Sequence, residues 1–242
     1  MAFVWSMLFV DPLIILSTIV CATVSVTASF FEKDGATQSA VARFWARSLL
    51  KFAGVTVKVE GLEKIKPGRP YVFVANHLSY MDTPVVLGNI PVQFRFMAKS
   101  GLFQIPFLGT HLARAGHIPV PLEDPRAAVK TLTQGAEVIR KLGISLWIFP
   151  EGGRSITGIL QPFKEGAAYV AIKAGVELVP LALVGTRNIL AMGSSTFHRG
   201  TVILRVGDPL PTAGRVLRDR HELTETARQQ IVAMLSVKSP GS

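Results

Sequence analysis

From residue 54 onward, short apolar runs alternate with longer segments of mixed polarity. That alternation most narrows what the chain can fold into. The runs "VTVKVEG", "YVFVA", "VQFRFMA", "SLWIFP", "LVPLALVG" and "TVILRVG" are rich in β-branched and aromatic residues, and several have no polar residue at every second position. Strands of that kind are covered on both faces, as in a largely parallel or mixed sheet layered between helices. Helix-like segments lie between them, near residues 83–88, 103–113, 125–142, 164–174 and 221–235. Asp124 followed by Pro125 supplies an N-cap and a first-turn residue. The expectation is an α/β fold: a single mixed-sheet domain over residues 54–242 with helices on both faces, without internal repeats or a long linker.

The residues ahead of that domain follow a different rule. Up to residue 31 the only charged side chain is Asp11, and residues 13–31, "LIILSTIVCATVSVTASFF", carry none. Nineteen residues rising about 1.5 Å each would nearly cross a hydrocarbon layer about 30 Å thick. No Lys or Arg precedes residue 33, so the basic start of a cleaved signal peptide is missing. Residues 1–53 are therefore expected to form an N-terminal membrane-associated helical segment, either spanning the bilayer or lying in one leaflet. Within it, Arg43, Arg47 and Lys51 recur every four residues and fall on one stripe of a helix. Such a stripe beside Phe44 and Trp45 suits an anionic lipid surface; the ordinary alternative is a solvated face. Cations on the C-terminal side of the uncharged run place the following domain on the cytoplasmic side of an inner membrane.

Formal net charge is +10, which calls for an anionic partner. The cations form no single dense run, so a membrane surface or a phosphorylated substrate fits better than nucleic acid. Cys21 is the only cysteine, so neither an intrachain disulfide nor a cysteine zinc site can form.

The chemistry-bearing residues stand at strand ends. "YVFVANHLSYMDTP" runs from an apolar strand into Asn-His, and Asp82 follows His77 by five positions. On a regular helix the two would not face each other. They meet if the chain turns after the strand and Asp82 enters the next helix, a start that Thr83-Pro84 permits. The carboxylate then accepts from one imidazole nitrogen and leaves the other as a base. Ser79 is too near in sequence to be an obvious nucleophile, Ser155 and Ser100 would have to fold back, and a substrate hydroxyl can take the serine's role. The bland reading is a histidine that only bonds backbone at a strand end.

"FPEGGRS" follows another strand. Its loop, with Glu151, Gly152, Gly153 and Arg154, can turn backbone amides and a fork-shaped cation toward an anion. Lys99 ends the strand before "SGLFQIPFLG". Neither a dinucleotide-binding glycine pattern nor a phosphate-loop pattern is present.

Taken in order, "NHLSYMD", "KSGLFQIPFLG", "FPEGGRS" and "VELVPLALVG" resemble the four sequence blocks of the glycerolipid acyltransferases, most nearly the 1-acylglycerol-3-phosphate acyltransferase branch, over residues 71–185. The resemblance implies transfer of a fatty acyl group from acyl-CoA or acyl-carrier protein, as co-substrate and with no cofactor or metal, to a lysophospholipid hydroxyl. It implies His77 as base and Asp82 as its partner. It places Glu151, Gly152 and Arg154 in the acceptor-binding block, with Arg154 and Lys99 on the acceptor phosphate, and gives Pro180 a part in shaping the donor site. The chain departs from the family's usual pattern at three places: Gly153 stands for a threonine, Gly101 for a glutamate, and the pair Pro121-Leu122 for Asp-Arg, with Arg126 nearby. These departures bear on the acceptor headgroup and leave another lysolipid, such as lyso-ornithine lipid, as the alternative. Two further readings compete: a metal-dependent phosphohydrolase using His77, Asp82 and Glu151 as ligands, and a non-catalytic lipid-binding protein.

Overall fold

The structure, a computed structural model, describes residues 2–32 and 35–237. Met1, Lys33, Asp34 and residues 238–242, parts of the expected units 1–53 and 54–242, lie outside the described residues. In chain order the helices are α1 (Ala2–Trp5), α2 (Asp11–Ala28), α3 (Ala36–Phe52), α4 (Asp82–Asn89), α5 (Leu108–Arg114), α6 (Pro125–Leu142), α7 (Gly166–Ala174), α8 (Thr186–Ile189) and α9 (Arg220–Ser236). A π-turn over Ser6–Val10 joins α1 to α2, making one helical run Ala2–Ala28. The strands are β1 (Val55–Glu60), β2 (Val72–Ala75), β3 (Phe94–Lys99), β4 (Ile118–Val120), β5 (Ser145–Ile148), β6 (Leu178–Val184) and β7 (Gly200–Val206).

They form one mixed sheet in the order β1-β7-β6-β2-β5-β3-β4, parallel except between β6 and β7. β2 lies between β6 and β5, with Val74 opposite both Pro180 and Ile148. The two-faced apolar strands have the expected cause. On β2 and its approach, Tyr71, Phe73 and Ala75 join a core under α3 and α4, whereas Val72 and Val74 join a second core under α6, α7 and α9. Trp147 and Leu146 divide between the same two cores on β5. Period-two alternation therefore survives in the structure, although both faces are apolar and it is invisible as polarity.

Several expected boundaries moved for local reasons. The helix expected at 103–113 breaks at Pro106. Ser100–Gln104 is a 3₁₀ turn, Phe107 takes φ 64°, and α5 begins only at Leu108. β4 carried no strand signal, since it is three residues long with Pro119 in its middle. α6 spans the expected 125–142, opened by Asp124 Oδ1 accepting from the amides of Arg126 (2.9 Å) and Ala127 (3.1 Å) and closed by Gly143 at φ 64°.

The N-terminal run is long and apolar enough to cross a membrane. One stripe of it is docked on the domain. Val10 enters the core under α3 and α4, the Phe197 amide donates to Ser6 Oγ (2.8 Å), and Trp45 Nε1 of α3 donates to Thr18 Oγ1 (3.0 Å). The other side exposes Leu8, Phe9, Leu13, Ile15, Leu16, Ile19, Val20 and Val24. The basic stripe of α3 also serves the fold itself. Arg43 Nη2 donates to Ile90 O (2.9 Å) and Arg47 Nε to Gly88 O (2.8 Å), so two of its three cations cap the C-terminal carbonyls of α4. Lys51 remains exposed.

Candidate active site

The C-terminal ends of β2, β5 and β6 converge on His77. Continuing the parity of Tyr71, Phe73 and Ala75 sends the His77 side chain toward the face where α4 begins. Asn76, with the opposite parity, closes the sheet below: its Nδ2 donates to Leu183 O (2.9 Å) and its Oδ1 accepts from Leu183 N (2.8 Å). β2 and β6 are thereby held together one residue beneath the imidazole.

His77 Nδ1 lies 2.8 Å from Asp82 Oδ2, and both side chains are buried. The same oxygen accepts from the amides of Leu78 (2.7 Å) and Ser79 (2.9 Å). An ionised carboxylate is acceptor-only, so the imidazole proton sits on Nδ1 and the Nε2 lone pair is left for a substrate. The ring stacks on Phe149 with centroids 3.7 Å apart and 8° between planes, which fixes its tilt. Burial lowers the His77 pKa below 6.5, Asp82 pulls it back up through its hydrogen bond and charge, and the Arg154 charge lowers it further. The net effect is a neutral imidazole at pH 7.

Glu151 occupies a place that its motif did not announce. Its Oε1 accepts from the His77 amide (2.6 Å) and its Oε2 from the Gln161 amide (2.9 Å). Both oxygens thus hold backbone, and the carboxylate ties the β2 loop to the far end of the β5 loop. Burial raises its pKa against the pull of those two donors. Between them, the Ser155 amide donates to His77 O (2.9 Å). Gly152, at φ 76°, leaves its Cβ position 2.8 Å from Lys164 Nζ, which brings a cation over the loop that sequence reasoning did not single out. Gly153 has ordinary φ and open space around its Cβ position.

Arg154 crosses to the β2 loop and places Cζ 4.6 Å over the Tyr80 ring, a cation–π contact. Its Nε is buried without a hydrogen-bond partner. Lys99 and Pro180 are not brought to the same point. Lys99 ends β3, which β5 separates from β2, and pairs in solvent with Glu123 at 2.9 Å. Pro180 is buried inside β6, level with Val74 rather than with His77. Of the serines weighed as nucleophiles, Ser79 donates to Leu190 O (2.6 Å), and Ser155 Oγ accepts from the Gly158 amide (3.1 Å); neither hydroxyl meets the imidazole. Among the described residues no three of His, Cys, Asp and Glu gather as a metal site.

A sheet of this order with a buried His-Asp pair at its strand ends defines a class, and the comparisons name it. The family model described as acyltransferase matches residues 56–184, and the chain belongs to that family. The 1-acyl-sn-glycerol-3-phosphate acyltransferase of Saccharomyces cerevisiae is 32% identical over 214 residues, covering 87% of this chain and 70% of the relative. The chloroplastic protein of the same description from Arabidopsis thaliana is 37% identical over 172 residues, covering 70% of this chain and 48% of that one. The chain thus spans about half the length of its chloroplastic relatives. The crystal structure of the 1-acyl-sn-glycerophosphate acyltransferase PlsC from Thermotoga maritima superposes with a TM-score of 0.74 at 26% identity, covering 95% of this chain and 98% of that one.

Proposed function

We propose that this chain transfers a fatty acyl group from an acyl thioester, acyl-CoA or acyl-carrier protein, to the free hydroxyl of 1-acylglycerol-3-phosphate, giving phosphatidic acid and a free thiol. The names of the relatives support the acceptor. The buried Nδ1–Asp82 pair, which leaves Nε2 as an unprotonated base at neutral pH, carries the mechanism. Nε2 takes the proton of the acceptor hydroxyl as that oxygen attacks the thioester carbonyl. The tetrahedral intermediate collapses with loss of the C–S bond, and His77 returns the proton to the sulfur. Asp82 stabilises the transient imidazolium. No acyl-enzyme is required, because the thioester is already activated and the Ser79 hydroxyl, the candidate nearest His77 in sequence, donates to Leu190 O.

Arg154 supplies a fixed cation beside the imidazole for the acceptor phosphate, and Lys164, against Gly152, adds positive charge over the same loop. The surroundings suit a lipid. Tyr80, Phe107, Ile156 and Ile159 are exposed on the loops that follow β2, β3 and β5, and α5, which follows Phe107, packs against the apolar run of α2. The reaction then takes place at a membrane surface, with the α/β domain on the cytoplasmic side. The test is an assay of purified protein in mixed micelles with both donor types and a panel of lysolipids, comparing wild type with His77→Ala. Transfer to 1-acylglycerol-3-phosphate, lost in His77→Ala while the circular-dichroism spectrum is kept, is the expected result. Wild-type turnover in the variant would refute the base.

A further inference from the structure

Among the described residues, seven buried side-chain polar atoms lack a hydrogen-bond partner, and four of them stand at the His77 end of the sheet: Asp82 Oδ1, Arg154 Nε, Thr186 Oγ1 and Arg187 Nη1. Buried polar groups are ordinarily paired, so a cluster of orphans beside a candidate active site marks a place shaped for something that brings its own partners. Asp82 and Arg154 belong to the site already described. Thr186 and Arg187 do not, and no sequence block singled them out.

Both sit on α8, directly after β6, the strand that pairs with β2. Thr186 is 1% exposed. The Arg187 guanidinium lies against the backbone of Gly158, where a Cβ would fall 2.9 Å from Cζ and where φ is 83°. A chain of contacts joins this group to the catalytic loops. The Gly158 amide donates to Ser155 Oγ, and the Ser155 amide donates to His77 O. On the other side Ser79 donates to Leu190 O, just past α8, and pairs with Ala191. Next to Ser79, Tyr80 carries Arg154 on its ring. Arg154 and Arg187 therefore stand at opposite ends of the 154–158 loop, whose Ser155 amide holds the His77 carbonyl.

From this arrangement we infer that Arg187 and Thr186 form a second phosphate-binding subsite, on the β6 side of His77. A guanidinium with a free N–H and a threonine hydroxyl together present a fork and a donor to a phosphate oxygen. The inference rests on the acyl-transfer reading, in which two substrates bring phosphate to this mouth: the acceptor on its glycerol, and either donor on its phosphopantetheine arm.

The experiment uses the full chain and two matched pairs of substrates. The acceptor arm compares 1-acylglycerol-3-phosphate with 1-acylglycerol. The donor arm compares S-acyl-4′-phosphopantetheine with S-acyl-pantetheine. In Arg187→Gln, the kcat/KM preference for the phosphorylated member falls about tenfold or more in one arm, through KM, while its phosphate-free partner is used as by wild type. The arm that responds names the source of the phosphate. Thr186→Val lowers the same preference by a smaller factor and serves alone should Arg187→Gln not fold. An unchanged preference in both arms, or an equal loss on phosphate-free substrates, overturns the subsite. A wild-type protein inactive with every donor and acceptor would instead overturn the acyl-transfer reading itself.

Discussion

At the scale of single residues, His77 is governed by three opposed influences: burial and Arg154 lower its pKa, and Asp82 raises it. A base works in its neutral form, so the acid limb of kcat/KM is expected to inflect below pH 6.5, with a plateau through neutrality. Asp82→Asn removes the raising influence and moves that limb to lower pH, while kcat drops on the order of a thousandfold or more as the tautomer is lost. Arg154→Gln removes a lowering influence and moves the limb upward, with KM for the phosphorylated acceptor raised. A pH–rate profile of the three proteins checks both signs, and a limb moving the other way would contradict the electrostatic assignment. Gly153 permits a gentler test. With ordinary φ and nothing around its Cβ position, Gly153→Thr, which restores the residue more usual in the family, is expected to leave the melting temperature within about 2 °C and activity within a few-fold.

Elements depend on a few polar clamps. Glu151 holds the loops after β2 and β5 with one oxygen each. In Glu151→Gln one acceptor becomes a donor facing an N–H, leaving a buried amide unmatched at about 1–3 kcal/mol. That predicts a melting temperature several degrees lower, at about 2–4 °C per kcal/mol for a chain of this size, together with reduced kcat. Wild-type stability in that variant would remove the clamp from the account. At the edge of the sheet, His117 Nδ1 accepts from the Phe96 amide (2.9 Å), which requires an unprotonated nitrogen, and burial pulls its pKa down to about 3. The unfolded chain binds that proton from about pH 6.5 downward and the folded chain only near 3. Stability contributed here is therefore full above pH 6.5 and declines as pH falls toward 3. Denaturant titrations at pH 7.5 and 5 are expected to show that decline, reduced in His117→Gln. A loss of the same size in the variant would place its origin elsewhere.

For the whole molecule, the N-terminal run behaves as two surfaces. One stripe, through Ser6, Val10 and Thr18, is welded to α3 and the loop before β7. The other presents an uncharged apolar band that water would not favour. Leu16→Asp with Ile19→Asp, both on the exposed side, should preserve the fold and sharply weaken cosedimentation with phospholipid vesicles. Undiminished vesicle binding would assign membrane contact to another surface.

How much of this was legible beforehand follows from the range over which each interaction acts. The six strands read from the sequence and α6 with its cap depend on neighbours a few residues apart, so periodicity and capping chemistry sufficed to expect them; the five-residue spacing of His77 and Asp82 only permitted their pairing, given a turn after β2, and the resemblance of the sequence blocks is what favoured it. The apolar run of residues 13–31 likewise declared its own solvent preference. Tertiary structure alone decided the rest, because the partners are distant in sequence. It gave Arg43 and Arg47 carbonyls at the end of α4 to cap, and made Glu151 a clamp across 74 residues to His77. It also brought Arg187 of α8 against Gly158. A side chain's type states which bonds it can make; only the packed sheet settles which of those bonds lie within reach.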